Sequence, residues 1–213
     1  CDSSQIAMPE VGIGRVPDVG GSLILANAPG RLGEYLGITA GRMGPADAIL
    51  AGFADYYIPK TGWDTVKSAL VETGDWTQVD AAAITVADGT LASLKDQIDA
   101  HFSGESLADI LRSLRSEETD LTKETLERLG RNSPLAMGCA VEMIHRLRGA
   151  EDIERALELE YRFTIARWNM VTLSRAFVLQ SSTKIAAQIG SMIWMGYRMW
   201  TCQKCCGHWG PMH

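Results

Sequence analysis

Helix dominates the fold that the sequence predicts, with two short strand-like runs that make the chain mixed α and β. Three observations carry this reading. Apolar residues recur at three- and four-residue spacing from Leu91 to Leu147, the period that lines one face of a helix. Two brief apolar runs, residues 6–8 and 54–58, each end at a proline (Pro9 and Pro59) and have strand character. Glycine and proline punctuate the first sixty residues so densely that only short elements fit between them. At 213 residues the chain can bury a full core as one domain, or as one domain with an appendage.

Taken in order, residues 18–28 read as a helix with Leu23, Ile24 and Leu25 inward, stopped by Pro29-Gly30. Residues 31–39 set Leu32, Tyr35 and Leu36 at helical spacing before Gly41, and residues 45–52 form a short helix. Residues 61–71 are helical, whereas 72–89 hold turn residues without a sustained period and read as loop. Leu91, Leu94, Ile98 and Phe102 then make one stripe, and Leu107, Ile110, Leu111 and Leu114 another. A helix at 121–129 follows. Ser133-Pro134 opens the next one through Met137, Val141, Ile144 and Leu147, with basic residues at the end that the helix dipole favours. Ile153, Leu157 and Tyr161 predict a last amphipathic helix. All these stripes are expected to face a core.

Hydrophobic content of 46% with 22% charged residues suits a globular chain. A net charge of −6 and the lack of a basic stripe argue against a nucleic-acid partner. No basic, then apolar, leader is visible. Cys139 sits on an apolar helix face, where a reduced buried thiol is the default. A cytoplasmic location, or a mitochondrial matrix in a eukaryote, is the expectation. The chain opens on Cys1, and its first motif follows almost at once, so it reads as a fragment.

That motif is Met8-Pro9-Glu10-Val11-Gly12-Ile13-Gly14-Arg15-Val16-Pro17-Asp18-Val19-Gly20-Gly21. Two carboxylates, Glu10 and Asp18, each follow a proline that fixes φ and lie near glycines that permit close backbone approach. Acids held on turns between packed elements are well placed to work as acid or base in a pocket. The plainer alternative makes Glu10 a solvated loop acid and Asp18 a helix N-cap.

The wording of the stretch resembles the crotonase (enoyl-CoA hydratase/isomerase) superfamily, and within it the 3-hydroxyisobutyryl-CoA hydrolase branch. The matching words are MPE, GIG-x-x-PDVGG and PG-x-LG-x-YL, with the likeness running from about Ser4 to Phe163. The resemblance implies an α/β crotonase-like fold, with residues 1–60 as the C-terminal part of the crotonase core, 61–164 as a helical region, and a few short strands. It implies hydrolysis of an acyl-coenzyme A thioester, 3-hydroxyisobutyryl-CoA in valine breakdown, with Glu10 and Asp18 catalytic. A different crotonase activity, enoyl-CoA hydration or isomerisation, is the alternative, and an inactive fragment is another. Coenzyme A would be part of the substrate, with no separate cofactor, and a homo-oligomer is compatible with the family. The family's oxyanion-binding amides and its nucleotide-binding segment lie upstream of this stretch, so the chain alone is expected to be impaired. Arg15 departs from the family, which carries an apolar residue there; the position is therefore either solvated or damaged.

After Glu160 the composition changes. None of the 26 acidic residues lies beyond it, while four of six tryptophans and three of five cysteines do. Surfaces normally mix both signs of charge. Reading the codons implied for residues 167–210 one base earlier can restore acids and the EHGDF run that the hydrolase branch carries. Residues 165–213 are therefore expected to be an out-of-frame tail, a reading that the underlying nucleotides would overturn if no one-base change yields that run. Within it, Cys202-x-x-Cys205-Cys206-x-His208, with His213 beyond, has loose zinc-ligand spacing, but no metal is assigned to it. Residues 185–197 are apolar yet too short to span a bilayer, so no membrane partner is expected.

Overall fold

The computed structural model describes the backbone of residues 1–180 and the side chains of residues 1–169. Among the described residues ten helices run in order: α1 Gly21–Asn27, α2 Leu32–Thr39, α3 Pro45–Leu50, α4 Trp63–Thr73, α5 Thr77–Ala82, α6 Thr90–His101, α7 Leu107–Ser116, α8 Asp120–Arg131, α9 Pro134–Leu147 and α10 Ile153–Gln180. A 3₁₀ turn at Glu10–Ile13 precedes them and another, Lys60–Gly62, precedes α4.

Local chemistry explains where several of these begin. Ser106 and Thr119 open α7 and α8 with capping boxes closed by Asp109 and Thr122, which satisfies amides that the helix itself leaves unpaired. Ser133 caps α9, and Pro134 supplies its first turn with a preset φ. Asp47 of α3 reaches across the chain and accepts from the Leu91 N–H at 2.8 Å, capping α6 from outside.

The core is built where α1, α2 and α9 pack on one another. Every residue of α2 is buried, so it runs through the middle of that layer. Gly33 makes the α1–α2 approach possible, because a Cβ there would fall 1.9 Å from the Leu25 carbonyl oxygen. Leu25, Ile38, Ile144 and Leu147 are fully buried in this contact layer. On the far side α6 leans on α2, where Tyr35 and Phe102 meet edge to face at 5.4 Å. α10 returns across α9 and α1.

Four expectations from the sequence require correction. Among the described residues the strand-like runs form no strand: Ile6 makes a single antiparallel bridge with Met43, and residues 54–58 stay irregular. An apolar run of three to five residues needs a neighbouring strand to pair with, and the described chain offers each run only an isolated partner: Met43 to Ile6, and Ile84, whose N–H donates to the Tyr57 carbonyl at 3.0 Å. In α1 Leu25 points inward but Ile24 is 41% exposed, because three consecutive positions of a helix cannot share one face. The stretch read as loop contains α5, although neither α4 nor α5 buries a residue. The last helix turns a different face inward: Ala156, Leu159, Glu160 and Phe163 are buried, while Ile153, Leu157 and Tyr161 are exposed. The first set follows the i, i+3, i+4, i+7 rule and contains a glutamate.

Candidate active site

Glu10 opens the 3₁₀ turn directly after Pro9. The turn is held at its far end by Gly14, whose left-handed φ of 75° lets the chain reverse, and the Arg15 N–H returns to the Glu10 carbonyl at 2.8 Å. Val11 is fully buried beneath it, and its carbonyl accepts from the Ser133 N–H at 3.0 Å, tying the turn to the start of α9. Glu10 is half-buried, and its Oε2 is enclosed with no hydrogen-bond partner among the described residues. Burial pushes the Glu10 carboxyl above its ordinary value. The charges of Asp18 and Glu160 push it the same way, against a lowering hydrogen bond from its own backbone N–H and the lowering charge of Arg15.

Asp18 follows the buried Val16 and Pro17. It does not cap α1: the N-cap is Gly20, and no side chain of that cap accepts a helix amide. Its Oδ2 instead accepts from Arg15 Nη2 at 2.7 Å. Arg15 is half-exposed in that pair, so the family's apolar position is solvated here and the guanidinium finds a counter-charge. Next come two consecutive left-handed residues, Val19 at φ 52° and Gly20 at φ 86°. A β-branched side chain in that region is a true outlier, with a cost of about 1–3 kcal/mol that surrounding contacts must offset.

The contact that holds this turn comes from far along the chain. Glu160 of α10 is 3% exposed. Its Oε2 accepts from the Gly20 N–H at 3.1 Å, and its Oε1 accepts from the Ser22 N–H at 3.2 Å and from the Ser22 hydroxyl. The sequence reading used Glu160 only as the last acid of the chain. The missed signal was its place on the stripe with Ala156, Leu159 and Phe163, since an acid on a buried face must find donors there.

A second buried acid was also missed. Glu34 of α2 is fully buried, and its Oε1 meets His145 Nε2 at 3.0 Å, Arg31 Nη1 at 2.9 Å and Arg148 Nη2. Burial alone would raise its pKa, but hydrogen bonds from His145, Arg31 and its own backbone, and the charge of Arg148, outweigh it and hold the carboxyl at about 2.

Beside the Glu10 turn a cavity of about 270 Å³ is lined by Ile13, Arg15, Phe163, Thr164, Arg167 and Trp168. Neither Glu10 nor Asp18 is among its lining residues. No group of three or more histidine, cysteine, aspartate or glutamate side chains suited to a metal occurs among the described residues. The Cys202–His208 cluster, His213 and the apolar run at 185–197 lie outside the described residues. No helix of the described residues is long and apolar enough to cross a membrane.

Glu10, with one enclosed oxygen that accepts no hydrogen bond among the described residues, and Asp18 stand on neighbouring turns, and comparison with known proteins gives the class. The family model described as Enoyl-CoA hydratase/isomerase matches residues 1–173, so the chain belongs to the crotonase family. Among curated relatives it is similar to a probable 3-hydroxyisobutyryl-CoA hydrolase 3 of Arabidopsis thaliana, 30% identical over 76% of this chain and 46% of that protein. It is also similar to the mitochondrial 3-hydroxyisobutyryl-CoA hydrolase of Xenopus laevis, 27% identical over 79% of this chain and 46% of that one. Among solved structures, an enoyl-CoA hydratase from Rhodobacter sphaeroides 2.4.1 superposes with a TM-score of 0.71 at 47% identity, covering 76% of this chain and 47% of that one. A carnitinyl-CoA dehydratase from Mycobacterium thermoresistibile gives the same TM-score at 35% identity. The chain therefore spans about half the length of the relatives it matches.

Proposed function

We propose that this chain carries the acid-bearing half of an acyl-CoA thioester hydrolase whose substrate is 3-hydroxyisobutyryl-CoA. One observation carries the reading furthest: Glu10 presents a buried oxygen that accepts no hydrogen bond, on a carboxyl whose pKa is raised. A base of that kind gains by taking a proton from a bound reactant. The names of the curated relatives support the thioesterase assignment.

In the reaction, Glu10 takes a proton from water, the water oxygen adds to the thioester carbonyl carbon, and the C–S bond breaks. The departing sulfur then receives the proton from Glu10. Alternatively the carboxylate itself attacks the carbonyl carbon, the C–S bond breaks to release CoA as the thiolate, and water then opens the resulting anhydride, giving up a proton to that thiolate. Asp18, paired with Arg15 at the mouth of the strained turn, orients the substrate hydroxyl or the water. Coenzyme A enters as part of the substrate and no other cofactor takes part. The setting is cytoplasmic, or the mitochondrial matrix in a eukaryote, as in the relatives named mitochondrial.

The test is release of CoA thiol from 3-hydroxyisobutyryl-CoA by the chain or by a longer form containing it. Release that vanishes in Glu10→Gln supports the reading, and release unaffected by that change overturns it. A single turnover in ¹⁸O-water separates the two routes, because only the anhydride route can leave label in the Glu10 carboxyl. The second reading is enoyl-CoA hydration, favoured by the 47% identity to the solved hydratase. Loss of the enoyl absorbance without thiol release would establish it instead.

A further inference from the structure

We propose that Glu160 is a positioning residue that holds Asp18 in its working orientation, by clamping the two backbone amides that follow it in the chain. The observation is geometric. Both oxygens of one buried carboxylate are spent on three donors within residues 20–22. Two of those donors lie at Ser22, and the first belongs to the second of two consecutive left-handed residues, Val19 and Gly20, a conformation that persists only when neighbouring structure over-determines it. The Asp18 carbonyl accepts from the Gly21 N–H at 2.9 Å, so Asp18 and the clamped amides belong to one tight turn. Glu160 is fixed in its turn by Ala156, Leu159 and Phe163 on the same face of α10. The orientation of an acid near the amino end is thereby set by a helix that begins more than a hundred residues later.

Charge chemistry favours a carboxylate in this place. The first amides of α1 have no partners inside the helix, and a negative group there completes them. The same charge contributes to raising Glu10, so Glu160 acts on both acids of the site without touching substrate. It is not placed among the catalytic residues.

The catalytic consequence rests on the hydrolase reading, whereas the clamp itself does not. The experiment follows backbone amide exchange by NMR in the full chain, together with the ¹³C shift of the Asp18 carboxyl and the kinetics of thiol release. In Glu160→Ala, exchange at Gly20 and Ser22 is expected to accelerate about tenfold to a hundredfold, the loss of bonds to a charged acceptor. Ile144 in α9 should keep its protection, the Asp18 carboxyl signal should move, and kcat should fall with little change in KM. Glu160→Gln should recover part of the effect, because its carbonyl can still serve Ser22 while its NH2 opposes the Gly20 N–H. Unchanged exchange at both amides overturns the clamp. Accelerated exchange with an unmoved Asp18 signal, or with unchanged kcat, overturns the positioning role. Should Glu160→Ala fail to fold, Ser22→Ala removes only the hydroxyl donor; faster exchange at Ser22 with a shifted Asp18 signal supports the proposal, and no change in either overturns it. Absence of thiol release from the wild type would sink the hydrolase reading alone, leaving the exchange and carboxyl signals to decide the clamp.

Discussion

Two glutamates twenty-four positions apart, Glu10 and Glu34, show how differently one side chain can be treated within a single core. Each has an Oε2 that is enclosed and accepts nothing among the described residues. Around Glu34 the other oxygen gathers His145, Arg31 and Arg148, and the carboxyl is held at about 2. Around Glu10 the neighbouring charges are mainly those of two more acids, with Arg15 the one cation among the influences on it, and the carboxyl is pushed up. Glu34 joins α2 to the end of α9 and is chemically spent. Glu10 is left able to take a proton, and that contrast separates a structural acid from a working one.

The largest effect that would break the contrast is on turnover. Glu10→Gln should lower the rate of thiol release by about 10² to 10⁴-fold, the range for losing a general base, while the chain still unfolds cooperatively. Glu34→Gln should leave the rate per folded molecule unchanged, and a similar loss of activity in both would erase the distinction.

Stability should respond in the opposite order. Glu34→Ala strands His145, Arg31 and Arg148 around an empty position, and should cost about 3–5 kcal/mol in denaturant unfolding, as for one broken partner of a buried pair. Glu10→Gln should instead raise the melting temperature at pH 7. Because the folded pKa of Glu10 lies above the unfolded 4.5, its ionisation opposes folding as pH rises through that window, and the gain should fade below pH 4.

Acid titration sharpens the same comparison. Glu34 has a folded pKa of about 2 against 4.5 unfolded. Its contribution, on the order of 3 kcal/mol from the size of that difference, is complete above pH 4.5 and is lost as pH falls towards 2. The acid sensitivity of the melting temperature in that range should largely disappear in Glu34→Gln.

The smallest effect concerns Arg15. Its half-exposed pair with Asp18 is worth under about 1 kcal/mol, so Arg15→Leu should scarcely move the melting temperature. Removing a cation that lowers Glu10 should shift the acidic limb of the pH–rate profile to higher pH. An unmoved limb would show that Arg15 does not influence the base.

Much of this architecture is legible in the chain itself, element by element. The Ser133-Pro134 start of α9 and the stripes of α6 and α7 are local signals, since caps and periodicity act within a few residues. The family words around Glu10 and Asp18 are local too. The errors of facing and pairing share one cause, which is that both depend on neighbours distant in sequence. Ile153, Leu157 and Tyr161 form as good a stripe as Ala156, Leu159 and Phe163, and only the docking of α10 on α1 and α9 selects between them. The strand-like run at residues 6–8 needs a partner to become a strand and finds a single bridge.

Sequence alone therefore determined where most helices start, which family the chain joins, and which two acids stand on glycine-rich turns. Tertiary structure decided what those acids are. Glu10 is left without a hydrogen-bond partner on one oxygen, Glu34 is held by His145 of α9 and by the guanidinium groups of Arg31 and Arg148, and Glu160 is turned inward onto the amides after Asp18. The physical reason is that a carboxyl's pKa and role depend on the dielectric and charges within a few ångströms, and those neighbours are brought together only when α1, α2, α9 and α10 pack.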